Sequence, residues 1–240
     1  MRPLLRALLA TTVIALASAA PAGAILDGTP DTDHPYVGIL VTVVDGQRVP
    51  VCSGFLVSST VFVTAAHCIK ALGDDPASVS FDQTFTASSE LRPGRAVPNP
   101  AFGLPEANTH DVALVVLDDD VTDRRFAELP SLGLLDSAAK KDALTIVGYG
   151  ANGFLKHGVP DSSLVRSFGE AQISKLAKGG FNLRMSSGIC FGDSGGPVLL
   201  GTSDVAVGIN SYVNSSRCAS NAFAFRLDTR EAQDFLAPYL

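Results

Sequence analysis

Several absences bound what this 240-residue chain can be. Cysteine never occurs as Cys-x-x-Cys, and no two of the four histidines lie within one helical turn. That argues against a structural zinc site, whose ligands come at such spacings. Basic residues are scarce, with 18 Lys and Arg against 24 Asp and Glu. Nucleic-acid binding needs basic surface, so nucleic acid is not expected as the main partner. Beyond the N-terminal leader no run of about 18 uncharged apolar residues occurs, so no later helical span of a membrane is expected. There is no internal repeat and no low-complexity tract.

What remains is a chain with 46% hydrophobic residues, enough to bury a substantial core. Its start reads differently. Arg2 and Arg6 precede an apolar run from Ala7 through Ala20, followed by the small-residue pattern Ala22-Gly23-Ala24. This is the layout of a secretory signal peptide over residues 1–24, with the cut before Ile25; Ala20-Pro21-Ala22 offers a second cut two residues earlier. The mature protein, residues 25–240, is then expected to be secreted, extracellular and free of the membrane. Removing the leader takes away two arginines and no acid, leaving 16 basic against 24 acidic residues and a net charge of −8. All four cysteines, Cys52, Cys68, Cys190 and Cys218, lie in the mature chain. An even count in an exported protein suggests two disulfides, with three pairings open.

The mature chain is punctuated as short strands. Tyr36 to Val44 is β-branched and runs into the hairpin signal Asp45-Gly46. Arg48 to Cys52, Phe55 to Val57 and Val61 to Thr64 read as further strands. Ala65 to Lys70 loses that pattern and reads as a helical turn. Ser78 to Phe81, Gln83 to Ala87 and Arg95 to Val97 are short strand candidates, with Arg92-Pro93-Gly94 as a turn. Val112 to Leu117 is a continuous apolar strand. A polar, small-residue connection over 130–143 marks the boundary between two halves. Leu144 to Gly150, Val165 to Ile173, Pro197 to Leu200, Val205 to Ile209 and Phe223 to Leu227 supply strands to the second half, and Asp228 to Leu236 a closing helix. The fold class is all-β, with a barrel or sandwich architecture.

The rarest string is Cys190-Phe191-Gly192-Asp193-Ser194-Gly195-Gly196-Pro197. A serine among glycines on a tight turn suits a nucleophile, but a hydroxyl needs a base to take its proton and an acid to orient that base. His34, His67, His110 and His157 all precede Ser194, which excludes the serine-first order of α/β-hydrolases. The orders His–Asp–Ser and Asp–His–Ser remain. His67, between two alanines and a cysteine, is the candidate base. Asp111, at the mouth of the apolar strand, is the candidate acid, since a buried carboxylate there needs a partner. His110 is read as structural, and His34 and His157 as surface residues.

With these residues in hand, the chain resembles the chymotrypsin/trypsin family of serine proteases. Cys52-Ser53-Gly54-Phe55-Leu56-Val57 through Thr64-Ala65-Ala66-His67-Cys68 matches the family's histidine block, and Asp111-Val112-Ala113-Leu114 its aspartate block. Gly192 to Pro197 matches the serine block, and Val147-Gly148-Tyr149-Gly150 resembles the family's Gly-Trp-Gly with tyrosine for tryptophan. The resemblance implies two six-stranded antiparallel β-barrels with a C-terminal helix and an active site in the cleft between them. It implies an endopeptidase with the triad His67, Asp111 and Ser194, and an oxyanion hole from the N–H groups of Gly192 and Ser194. It implies that Ser211 supports the aspartate, and that the disulfides are Cys52–Cys68 and Cys190–Cys218. Ile25 and Asp193 would form the family's activation pair, with the leader cut itself freeing Ile25. Gly188, Ile189, Val213 and Phe223 would form a narrow, non-basic specificity pocket for small aliphatic side chains. The expected partners are protein or peptide substrates and protein inhibitors, the expected state a monomer, and no cofactor or metal is called for. An esterase-type hydrolase and a non-catalytic protease-like binding protein are the alternatives.

Overall fold

The apolar run after Tyr36 becomes the first long strand because nearly every residue in it is covered, up to Thr42. A computed structural model describes residues 25–103, 110–137, 142–151, 153–154, 160–161, 163–185, 188–214, 218 and 222–240. In chain order the strands of the first half are β1 (Thr29–Pro30), β2 (Val37–Val44), β3 (Gln47–Leu56), β4 (Val61–Thr64), β5 (Ala77–Ser80), β6 (Arg92–Pro98) and β7 (Ala113–Leu117). The second half holds β8 (Ala143–Gly148), β9 (Gly153–Phe154), β10 (Pro160–Asp161), β11 (Ser167–Leu176), β12 (Gly180–Met185), β13 (Pro197–Leu200), β14 (Ala206–Val213) and β15 (Ala222–Arg226). Among the described residues two short helices, α1 (Ala66–Leu72) and α2 (Arg230–Leu236), and two 3-10 turns complete the regular structure.

The first barrel closes in the order β2-β3-β4-β7-β6-β5, with β5 returning to β2. Asp45 and Gly46 both have positive φ, the requirement of the two-residue turn that joins β2 to β3. The second barrel runs β8-β11-β12-β15-β14-β13 and closes where β13 pairs β8. Closure leaves neither barrel a free edge. β1 pairs with the start of β11, so the chain begins on the second barrel before crossing to build the first. Phe55, Phe62 and Leu114 fill the first barrel. Ile146, Phe181, Leu183 and Val198 fill the second. Among the described residues no helix is long and apolar enough to cross a membrane.

The local reading needs four corrections. Arg48 to Cys52 and Phe55 to Val57 are one strand, β3, whose register slips opposite Leu40 and Val41. Arg92-Pro93-Gly94 is strand, not turn; Pro93 pairs with Ser78 near the start of β6, and its carbonyl accepts from the Asp118 N–H at 3.1 Å. Gln83 to Ala87 forms no strand. Its main chain bridges to the second barrel through Thr84 and Val165. β12 went unread, although Phe181 and Leu183 alternate within it.

His34 is also buried, not on the surface. Its Nδ1 lies 2.6 Å from Asp31 Oδ1, and Arg166 Nε donates to Asp31 Oδ2 at 2.9 Å. Arg166 reaches on to the carbonyls of Val37 and Phe81 at 3.2 Å each, so one buried guanidinium joins the two barrels. Burial works to raise the Asp31 carboxyl, but His34 and Arg166 outweigh it and hold the group below its ordinary value. His157 lies outside the described residues.

Candidate active site

His67, Asp111 and Ser194 reach one cavity from three elements. His67 sits in the first turn of α1, which follows β4 directly. The Cys52–Cys68 disulfide ties that turn back to β3. Asp111 stands two residues before the apolar strand β7, and its carboxylate is almost fully covered. Ser194 stands in the turn before β13, where the Cys190–Cys218 disulfide anchors the preceding segment.

Three donors converge on Asp111. The His67 main-chain N–H reaches Oδ1 at 2.9 Å, His67 Nδ1 lies 2.8 Å from Oδ2, and the Ser211 hydroxyl donates to Oδ2 at 2.5 Å. Burial by itself would raise this carboxyl. The His67 hydrogen bond and charge, with Ser211, outweigh it and hold Asp111 below the usual carboxylate range. The imidazole is thereby fixed with Nδ1 toward Asp111, while Nε2 lies 3.5 Å from the Cys68 sulfur. The Ser194 hydroxyl donates to the Ser211 carbonyl at 3.3 Å rather than to His67.

Around Ser194 the main chain is held by the first barrel. Ser53 N–H donates to the Ser194 carbonyl at 2.8 Å, and the Ser53 hydroxyl to the Gly192 carbonyl at 2.7 Å. Gly192 has φ of +97°, a conformation that side chains resist. The N–H groups of Gly192 and Ser194 donate to no acceptor among the described residues.

Asp193 points the other way and is fully buried. Its oxygens accept one N–H each, from Gly150 at 2.8 Å and from Cys190 at 2.9 Å. A Cβ on Gly148 or Gly150 would stand 2.3–2.4 Å from that carboxylate, so the Gly148-Tyr149-Gly150 string makes room for it. Among the described residues no cationic side chain pairs with Asp193. Burial therefore dominates over the two N–H groups and pushes its pKa up to about 7. Ile25 is buried in the same barrel as Ile189, and Leu26 exchanges main-chain hydrogen bonds with Gly188 at 2.9 and 3.1 Å.

The cavity has a volume of about 370 Å³ and also holds Ile189, Val213, Phe102, Phe191 and Tyr212. Two of the four expected pocket residues do not line it. Gly188 is taken up by its bridge to Leu26, and Phe223 stacks on Tyr212 with ring centroids 4.9 Å apart. Phe102, Phe191 and Tyr212 were missed. The signal for Phe191 was its place beside Gly192, since a large apolar residue left exposed on such a turn marks a binding surface.

The family model described as Trypsin matches residues 25–235. Among curated proteins, Trypsin epsilon of Drosophila erecta is 24% identical over 224 residues, covering 83% of this chain and 86% of the relative. Collagenase of Hypoderma lineatum is 25% identical over 197 residues, covering 78% and 75%. Among solved structures, HL collagenase superimposes with a TM-score of 0.73 at 21% identity, over 89% of this chain and 97% of that one. Neuropsin, a serine protease of mouse brain, gives 0.67 at 20%, over 85% and 95%. With this match over nearly all of residues 25–240, two antiparallel barrels and two disulfides, the chain belongs to the trypsin family of serine endopeptidases, whose substrates are proteins and peptides.

Proposed function

We propose that the chain is a secreted endopeptidase that uses Ser194, His67 and Asp111 as its triad and prefers small aliphatic residues on the acyl side of the cleaved bond. The observation that carries this reading is the hydrogen-bonded set His67–Asp111–Ser211 opening on the same cavity as the Ser194 hydroxyl. Rotation about Cα–Cβ of Ser194 turns its hydroxyl from the Ser211 carbonyl toward His67 Nε2, a tightening expected once substrate is bound.

Ser194 Oγ then attacks the carbonyl carbon while its proton passes to His67 Nε2, and Asp111 stabilises the imidazolium. The unused N–H groups of Gly192 and Ser194 receive the oxyanion, at about 3 kcal/mol of barrier per donor. His67 returns the proton to the leaving amine. Water, deprotonated by the same imidazole, cleaves the acyl-enzyme.

The preference rests on Ile189 and Val213 in the cavity wall. Tyr212, backed by Phe223, narrows the same wall. Activation rests on Asp193. A buried carboxylate with no cation favours an incoming ammonium, and freeing Ile25 from Ala24 would supply one at the segment already bridged to Gly188.

An active-site fluorophosphonate should label the wild type and not Ser194→Ala; labelling of both would sink the nucleophile assignment. Peptides varied only at the acyl-side residue should be cleaved best after Ala or Val, and efficient cleavage after Arg would refute the pocket. The active protein should begin at Ile25 by N-terminal sequencing. An active form beginning elsewhere would remove the activation pair.

A further inference from the structure

His110 is the residue before Asp111, and three observations give it a task that its neighbour's chemistry does not. It is buried, it is one of the few non-glycine residues with positive φ (+50°), and its Nδ1 meets Glu231 Oε1 on α2. A left-handed conformation at such a residue persists only where the surroundings hold it. Here the Val112 N–H closes a tight turn on the His110 carbonyl at 2.9 Å, and the ring is tethered to α2. The reversal at His110 sets the direction in which the chain enters Asp111.

The far end of the tether is rigid. The Thr229 hydroxyl caps α2 by accepting from the Ala232 N–H at 3.3 Å, and Gln233 Nε2 donates to the Pro130 carbonyl at 2.8 Å. Ala232 and Leu236 are fully buried in the apolar cluster that also contains Val112. His67 and Ser211 hold the Asp111 carboxylate from α1 and β14. Neither fixes the main chain on its N-terminal side.

We propose that His110 and Glu231 act as positioning residues, a strut from the C-terminal helix that sets the main chain of Asp111 and through it the orientation of His67. This rests on the triad reading above. Misplacement of a catalytic group by a fraction of an ångström to an ångström costs about tenfold to a hundredfold in rate, while the substrate surface is untouched. The effect therefore belongs in kcat and not in KM.

The test uses the mature enzyme and one peptide substrate. Glu231 is half-exposed at the start of its helix, so Glu231→Ala should fold. It should lower kcat about tenfold with KM unchanged. The low-field proton resonance of the His67 Nδ1–H bond to Asp111 should move or broaden. Glu231→Gln, which keeps an acceptor, should restore most of both. His110→Asn keeps a residue that tolerates positive φ but removes the ring, and should match Glu231→Ala, with the double variant no worse than either single one. Unchanged kcat in a folded Glu231→Ala overturns the proposal. A fall in melting temperature with the His67 resonance unmoved overturns it equally, since that is structural support alone. Asp111→Asn in the same series separates the two readings: if it retains full kcat, the triad itself is wrong. If it is inactive while Glu231→Ala is normal, only the strut fails.

Discussion

Asp111 and Asp193 are both buried, and both belong to the surroundings of Ser194, yet their carboxyl groups are displaced in opposite directions. Asp111 is met by an imidazole, a hydroxyl and a main-chain N–H, and it is held below the usual carboxylate range. Asp193 is met by two main-chain N–H groups and no cation, and burial raises it to about 7. The same side chain is a stable anion in one place and a strained one in the other. The difference lies in who supplies the counter-charge. Around Asp111 the folded chain supplies it; around Asp193 the described residues supply no cation, which is the place proposed above for the Ile25 ammonium.

The largest effect expected from breaking this comparison is at Asp111. Asp111→Asn should leave the fold intact and lower kcat by about 10⁴-fold, because the amide favours the wrong imidazole tautomer. Stopped-time assays at saturating substrate measure it, and a loss of less than tenfold would place the orienting role elsewhere. Asp31 supplies a third case, a buried carboxylate paired by the fold as Asp111 is. Arg166→Met should strip one of its two side-chain partners and destabilise the protein by about 3 kcal/mol, read from denaturant midpoints. A neutral result would mean that His34 alone suffices.

The smallest effect is the pH response of Asp193 in the chain still joined at Ala24. Its folded pKa, about 7, lies above the ordinary value of 3.8, so the folded state binds the extra proton. Stability from this group is therefore full below about pH 4 and declines as pH rises to about 7. Asp193→Asn should flatten that slope. Freeing Ile25 should reverse it, because a paired carboxylate loses its stabilisation as pH falls instead. An unreleased chain whose stability is level between pH 4 and 7 would show that Asp193 already has a partner.

How much of this was legible depended on the range of the interactions involved. The hairpin at Asp45-Gly46, the helical turn at His67 and the apolar strand after Asp111 follow from a few neighbouring residues, and each stands where the sequence puts it. Pro93 and the segment Gln83 to Ala87 misled because a strand is made by its partner, and the partners lie far along the chain or in the other barrel. His34 misled for the same reason. Beside a proline it reads as surface, but Arg166, distant in sequence, brings Asp31 and His34 inside with it. Phe223 was placed in the pocket by counting along the chain, whereas its cross-strand pairing with Tyr212 sends its ring behind that wall.

By itself, the sequence determined the family and the all-β class and named the candidates for the chemistry, because reactive groups and tight turns need particular side chains at short spacings. Only the tertiary structure decided which aromatic residues line the cavity and which carboxylates are satisfied. Those outcomes depend on burial and on partners from other strands. A buried charge has no assigned cost until the fold has chosen what stands next to it.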